Sequence, residues 1–312
     1  MKTPSNILRA VLTFLSVAII AVGVFIYIQL KQSEHLSALE SIYFFTGEPF
    51  VNLQLEKAHT DDSELIPLYV DSGSVVDYVK RGVKEFALIQ NTDGEVDMFV
   101  RSTGANWTQY TVDGGIKLHL DVSSDGSLVS FTKRIETVPS SRQDFYDDLT
   151  AWDAYVFETS NGASSRFANG FAPQFFTRDG LPFLLFVDPD GITIAKLGTD
   201  DRQSATFYRP YDGHHPPRVS PDGEYLAVYN PRGTYDIFPI ETLSPLIIGD
   251  TVGSLPQDTS VMVFSRTAIY AARNINDGDS VLFSISRDLS DDTVVLKEFN
   301  KIFSYRLIFN DL

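Results

Sequence analysis

The chain of 312 residues contains no cysteine. Disulfides, thiolate catalysis, cysteine-held zinc and a lipoprotein anchor are excluded together. Secreted eukaryotic domains commonly carry disulfides, so the absence points towards a bacterial or archaeal envelope. Histidine is scarce too: His35, His59, His119, His214 and His215 are the full set. Only the last two form a pair, with no third ligand beside them, so neither a metal centre nor a cofactor is expected. Positive charge is in short supply, with 25 Lys and Arg against 41 Asp and Glu and a net charge of −16. Such a surface repels polyanions, and nucleic acid is not an expected partner. No G-x-S-x-G nucleophile elbow, P-loop or dinucleotide fingerprint is present.

One long apolar run stands out. Residues 10–30 read AVLTFLSVAIIAVGVFIYIQL without a charge. At about 1.5 Å per residue this helix spans roughly 30 Å, the thickness of a bilayer core. Lys2 and Arg9 flank it on the N-terminal side, so the positive-inside rule places the N-terminus in the cytoplasm. The run is longer than the apolar region of a cleaved signal peptide, and Leu36-Ser37-Ala38 is a poor cleavage site. The expected organisation is a cytoplasmic stub (1–9), a transmembrane signal anchor (10–30), a tether (31–40) and a folded domain (41–312). That domain is expected outside the cytoplasmic membrane, in the periplasm or beyond the cell.

Past residue 40, apolar runs of five to eight residues alternate with Asp-Gly or Asn-Gly clusters, the pattern of antiparallel hairpins. Self-comparison reveals a repeat. Its clearest copy is HHPPRVSPDGEYLAVYNPRGTYDIFPIETLSPLIIG (214–249), followed by APQFFTRDGLPFLLFVDPDGITIAKLG (172–198) and IKLHLDVSSDGSLVSFTKR (116–134). The turns Asp179-Gly180 and Asp222-Gly223 lie 43 residues apart, while Asp125-Gly126 precedes Asp179 by 54 because of an insertion. A period of 40–45 residues with four short strands is that of a β-propeller blade. Ser220-Pro221-Asp222-Gly223 before EYLAVY, with TYDIFPIE after it, resembles the TolB-type WD-like propeller repeat. The resemblance implies a fold and little chemistry, because such propellers serve many functions. Each Asp-Gly reads as a structural turn, as does Asp188-Pro189-Asp190-Gly191.

Strand counting gives blades at 75–112, 116–169, 171–209, 214–250 and 261–299. Residues 41–57, 64–70 and 302–309 are left to build a sixth blade from both ends of the chain; five or seven blades are the alternatives. The expected class is all-β, a six-bladed propeller after one transmembrane helix. Propeller connectivity puts the turns between first and second strands, including Asp125, Gly126, Asp179, Gly180, Asp222 and Gly223, on a bottom face. Loops between blades and between second and third strands lie on the top face. The candidate partner site is therefore a top rim of Tyr208, Arg209, Tyr211, His214, His215 and Arg232, with Phe145 and Tyr146 from the insertion at 136–151. The expected role is non-enzymatic, binding a protein or an envelope polymer as a scaffold module. The alternatives are a carbohydrate-active hydrolase or lyase with carboxylates at the channel mouth (Asp121, Asp144, Asp147 and Asp148), or an accessory subunit of a membrane complex.

Overall fold

The computed structural model describes residues 20, 22, 24, 42–46, 54–58, 63–65, 73–111, 113–134, 151–205, 215–276, 278–299 and 307–309. The strands β1 (Ile42–Thr46), β2 (Gln54–Ala58) and β3 (Ser63–Leu65) come first. Blade 1 holds β4 (Ser74–Arg81), β5 (Lys84–Gln90), β6 (Val96–Ser102) and β7 (Thr108–Gln109). Blade 2 holds β8 (Ile116–Val122), β9 (Leu128–Arg134), β10 (Asp153–Glu158) and β11 (Ser164–Asn169). Blade 3 holds β12 (Phe171–Arg178), β13 (Leu181–Asp188), β14 (Gly191–Lys196) and β15 (Arg202–Ala205). Blade 4 holds β16 (Arg218–Val219), β17 (Tyr225–Asn230), β18 (Thr234–Leu243), β19 (Leu246–Ile248) and β20 (Gly253–Ser254). Blade 5 holds β21 (Thr259–Phe264), β22 (Ala268–Asn276), β23 (Asp279–Ser286) and β24 (Val294–Phe299), and the last strand is β25 (Leu307–Phe309).

These strands form six antiparallel sheets, and the expected blades are there. The sixth is ordered β25-β1-β2-β3, with Ile42 opposite Phe309 and Phe44 opposite Leu307. A strand from late in the chain thus completes the blade begun by the first strands, which closes the ring and leaves no unpaired inner edge. Blade 4 differs from expectation. Its β18 outruns the blade, pairing with the hairpin strand β19 at its far end and with β20 at Asp236 and Ile237. Two-residue β20 is too short to show as an apolar run in the sequence. Among the described residues no helix is long and apolar enough to cross a membrane. The expected span at 10–30 lies outside them except for Ile20, Val22 and Val24, which are helical and exposed.

Apolar side chains from facing sheets fill each interface between blades. Leu118 and Phe131 meet Val79 and Leu88 between blades 1 and 2; Phe186 and Ala168 meet between blades 2 and 3. Leu185 and Leu226 join blades 3 and 4, and Ile237 and Phe283 join blades 4 and 5. Phe44 and Phe299 pack edge to face at 5.4 Å between blades 5 and 6, and Phe45 and Tyr78 join blade 6 to blade 1. Each such buried side chain contributes about 1.5–3 kcal/mol, so the ring is held mainly by its interfaces.

The inner strands depart from simple alternation. The β8–β9 register shifts between Leu118 and Asp121, and the β12–β13 register between Phe171 and Gln174. His119 (φ 54°) and Ala172 (φ 50°) sit in these bulges. The bulges turn backbone donors towards the preceding blade. Leu120 N donates to Asp77 Oδ2 at 2.8 Å, Ala172 N to Thr132 Oγ1 at 2.9 Å and Phe175 N to Asp121 Oδ2 at 2.7 Å. Gln174 continues the series with blade 4, its Nε2 donating to Pro217 O and its Oε1 accepting from Val219 N. Side chains on one inner strand thus bind the backbone of the next.

The Asp-Gly pairs at 125, 179 and 222, between first and second strands, are turns of two kinds. Ser123 Oγ, Ser127 N and Ser127 Oγ all donate to Asp125 Oδ1, at 2.6, 3.0 and 2.8 Å. The Ser123 hydroxyl first, then the Ser127 amide, hold the Asp125 carboxyl below its ordinary range. Asp222 Oδ1 accepts from Ser220 Oγ and Glu224 N in the same way. Asp179-Gly180 is instead a two-residue turn with φ of 52° and 73°, the two positive angles of a type I′ hairpin. The first turn of blade 5, between β21 and β22, lacks Asp-Gly but keeps the serine: Ser265 Oγ accepts from Ala268 N at 3.0 Å.

Gly126 and Gly223 both have positive φ, yet a Cβ on Gly126 would meet open space, whereas one on Gly223 would lie 2.5 Å from Phe176 Cδ2. Gly126→Ala is therefore expected to lose about 1 kcal/mol from backbone strain alone. Gly223→Ala adds a steric clash with the neighbouring blade and should lose about 3 kcal/mol. Urea unfolding of the two variants measures the difference; equal losses would mean that the turn of blade 4 is not docked on Phe176.

Candidate functional site

Of the expected rim residues, His215 and Arg232 are described, while Tyr208, Arg209, Tyr211, His214, Phe145 and Tyr146 lie outside the described residues. His215 precedes β16, and Arg232 sits in the turn between β17 and β18, so both stand at the top of blade 4. The His215 ring stacks face to face on Tyr229, with centroids 3.8 Å apart and planes 5° from parallel. Tyr235, opposite Tyr229 in the sheet, packs edge-on against Tyr229 at 5.1 Å. The buried Tyr235 thereby supports Tyr229, and Tyr229 supports the half-buried His215. Asn230 Oδ1 accepts from Arg232 N at 2.8 Å and shapes the turn, leaving the Arg232 side chain exposed. Arg232 has no ion pair among the described residues. The result is a ring platform with a cation beside it, suited to a partner that offers a flat face and a negative group.

A second polar cluster lies at the top between blades 1 and 2. Lys117 is wholly buried; its Nζ donates to Val96 O at 2.6 Å and Gly114 O at 2.9 Å, and lies 3.0 Å from Asp113 Oδ1. Lys133 Nζ reaches Asp113 Oδ2 at 2.5 Å. Burial pushes the Lys117 ammonium down, against the pull of Asp113. Burial also works to raise the Asp113 carboxyl, but hydrogen bonds from Lys133 and then Lys117 outweigh it and hold the group below its usual value. Carbonyl oxygens and carboxylates satisfy both cations, so the cluster fastens the loop between blades 1 and 2 to both sheets.

One expectation changes here. Asp121 does not reach the top face: it sits near the bottom end of β8, next to the turn at 123–127, with its carboxylate committed to Phe175 N and 3.7 Å from Arg81. His119 is buried in the bulge together with Leu118 and Leu120, and its ring packs edge-on against Phe171 at 4.4 Å. Asp144, Asp147 and Asp148 lie outside the described residues. Asp188 turns its carboxylate onto Asp190 N, Gly191 N and Thr193 Oγ1, which makes the Asp188–Gly191 segment a turn. Among the described residues no cluster of three His, Asp or Glu side chains is placed to hold a metal ion.

The sequence reading missed the partners that carry most of the polar structure: Asp77, Asp121 and Gln174 as stitches, and Lys117 as a buried cation. The signal was an aspartate or glutamine inside each inner-strand run, in VVDYV, LHLDV and APQFF.

No protein-family model matches the sequence, and no curated protein matches it. Solved structures do. TolB from Acinetobacter baumannii matches with a TM-score of 0.58 at 15% identity, over 86% of this chain and 65% of that one. This chain is a six-bladed β-propeller. A puromycin-hydrolyzing peptidase from Mycobacterium tuberculosis matches with a TM-score of 0.51 at 12% identity, over 82% of this chain and 44% of that one. The propeller chain therefore spans less than two-thirds of the length of either structure, and at such identities the likeness extends to the fold alone.

The Asp113 cluster has a pH signature. A carboxyl held below its unfolded value of about 3.9 contributes stability that is complete above that pH and lost as pH falls through the folded value. Urea unfolding of the wild type should therefore weaken on acidification below about pH 4. Asp113→Asn should be less stable at neutral pH and show a shallower acid loss. Parallel curves for the two proteins would remove Asp113 from the acid response.

Proposed function

We propose that this protein is a membrane-anchored, extracytoplasmic β-propeller that binds a protein or an envelope polymer through its top face, without catalysing a reaction. The observation that carries the binding reading is the His215–Tyr229 stack with exposed Arg232 beside it, set on a closed and rigid ring. Binding groups on loops over a rigid scaffold are a common use of such folds. The anchor reading rests on the uncharged run at 10–30 and on the cations before it, which favour an N-terminus in the cytoplasm. Ile20, Val22 and Val24, exposed on a helix, fit a lipid-facing surface. The carbohydrate-active reading loses Asp121, whose carboxylate is used inside the ring.

His215→Ala combined with Arg232→Ala removes the platform and the cation without touching a blade interface. In mild detergent, wild-type protein should retain a partner from membranes of its own cell, and the double variant should lose it by tenfold or more, about 1.4 kcal/mol. Thermal unfolding should stay within a few degrees of wild type, since Arg232 is exposed and half-buried His215 belongs to no blade interface. Recovery of the same partners in the same amounts by the variant would place the binding surface elsewhere.

A further inference from the structure

The turn joining β4 to β5 carries Lys80, Arg81, Val83 and Lys84: three cations within five residues of a chain whose net charge is −16. Val83 is 72% exposed, more than any other large apolar side chain of the described residues. Gly82 has a φ of 55° and open space where a Cβ would sit, and Val83 O accepts from Thr103 N at 2.8 Å, which ties the tip's backbone to the blade while the Val83 side chain stays exposed. Positive φ at the first turn residue alone is the pattern of a type II′ hairpin, a rigid connection rather than a loose loop. The charges here are mostly unmatched. Arg81 lies 3.7 Å from Asp121 and donates to Val122 O, while Lys80 and Lys84 have no ion pair among the described residues. Nearby Arg101 is already committed, bonded to Glu85 at 2.7 Å and lying over the Trp107 ring at 4.3 Å.

The position of this turn matters as much as its composition. It connects a first to a second strand and so belongs to the bottom face. Blade 1 adjoins blade 6 through Phe45, Leu55, Tyr78 and Ile308, with the Tyr43 and Tyr78 rings 6.1 Å apart. Blade 6 is where the chain enters the ring at Ile42, also at the bottom. The turn and the point of entry are thus neighbours on one face. The turns of blades 2, 3 and 4 on that face carry Asp125, Asp179 and Asp222 instead.

We infer that the Lys80–Lys84 turn is a lipid-contact finger. Val83 seats among the headgroups, and Lys80 and Lys84 meet the phosphates of anionic lipid in the membrane that holds the anchor. Apolar burial and attraction to anionic lipid reinforce each other in such contacts, and lysine stems reach up from partly buried positions to the headgroup level. The turns of blades 2, 3 and 4 each carry an aspartate, and that of blade 5 carries Arg266 alone, so three cations around an exposed apolar tip favour contact on the side of blade 1. The inference rests on the anchor reading.

The absence of cysteine makes the test direct. Full-length protein with Val83→Cys, or with Thr92→Cys in the opposite turn of the same blade, carries an environment-sensitive dye in phosphatidylglycerol-containing nanodiscs. Resistance to alkaline extraction from vesicles is measured first; release of the chain overturns the anchor and the finger with it. In retained protein, the label at 83 should shift to the blue and be quenched by headgroup quenchers at least about threefold more than the label at 92. Lys80→Glu with Lys84→Glu, or replacement of the lipid by phosphatidylcholine, should reduce that contrast. Equal environments at 83 and 92 in a retained chain would overturn the finger and leave the anchor standing.

Discussion

Three residue pairs between β25 and β1 determine what the rest of the molecule can do. A ring of twisted sheets is stable only if its first and last members meet, and here they meet within one sheet. The pairing of Leu307–Phe309 with Ile42–Phe44 converts six marginal sheets of four or five strands into one body, each flanked by an apolar interface on both sides. It also fixes a geometry. Because Ile42 faces Phe309 across an antiparallel ladder, the chain enters and leaves the ring on the same face. Under the proposed function, the tether is on that side and the binding loops are on the other.

Around the ring, polar stitches add direction to what apolar burial does without it. Asp77, Asp121 and Gln174 each bind the backbone of the next inner strand, over spacings of 43, 54 and 45 residues that follow the repeat. A buried carboxylate is tolerated only where donors meet it, and the bulges at His119 and Ala172 help to supply them. The positive φ at those two residues is the conformational strain that accompanies the stitching. It belongs to the scaffold, and the His119 ring accordingly packs against Phe171.

The fold was largely legible because hairpins announce themselves locally. Asp-Gly at 125, 179 and 222 marked three blades, and apolar runs at both ends of the chain sufficed to infer the closing sheet. What was hidden depends on contacts between blades, which no local pattern encodes. Asp121 looked available for chemistry until Phe175 N, 54 residues away, was seen to occupy it. Nothing in the local pattern around Lys117 marks it as buried, yet it is enclosed by Val96 O, Gly114 O and Asp113. At the site, His215 and Arg232 were visible as types, whereas Tyr229 and Tyr235, which hold His215 in place, sit in strand positions that look like core.

The proposed function requires anchor and binding surface to lie on opposite faces of the closed ring, with the top face outside the cytoplasm. Labelling with a membrane-impermeant maleimide in intact spheroplasts tests it, using Asp190→Cys in a top turn and Ser5→Cys before the apolar run. The account predicts reaction at 190 without lysis and at 5 only after permeabilisation. Reaction at 5 before lysis, or protection of 190 until lysis, would contradict it.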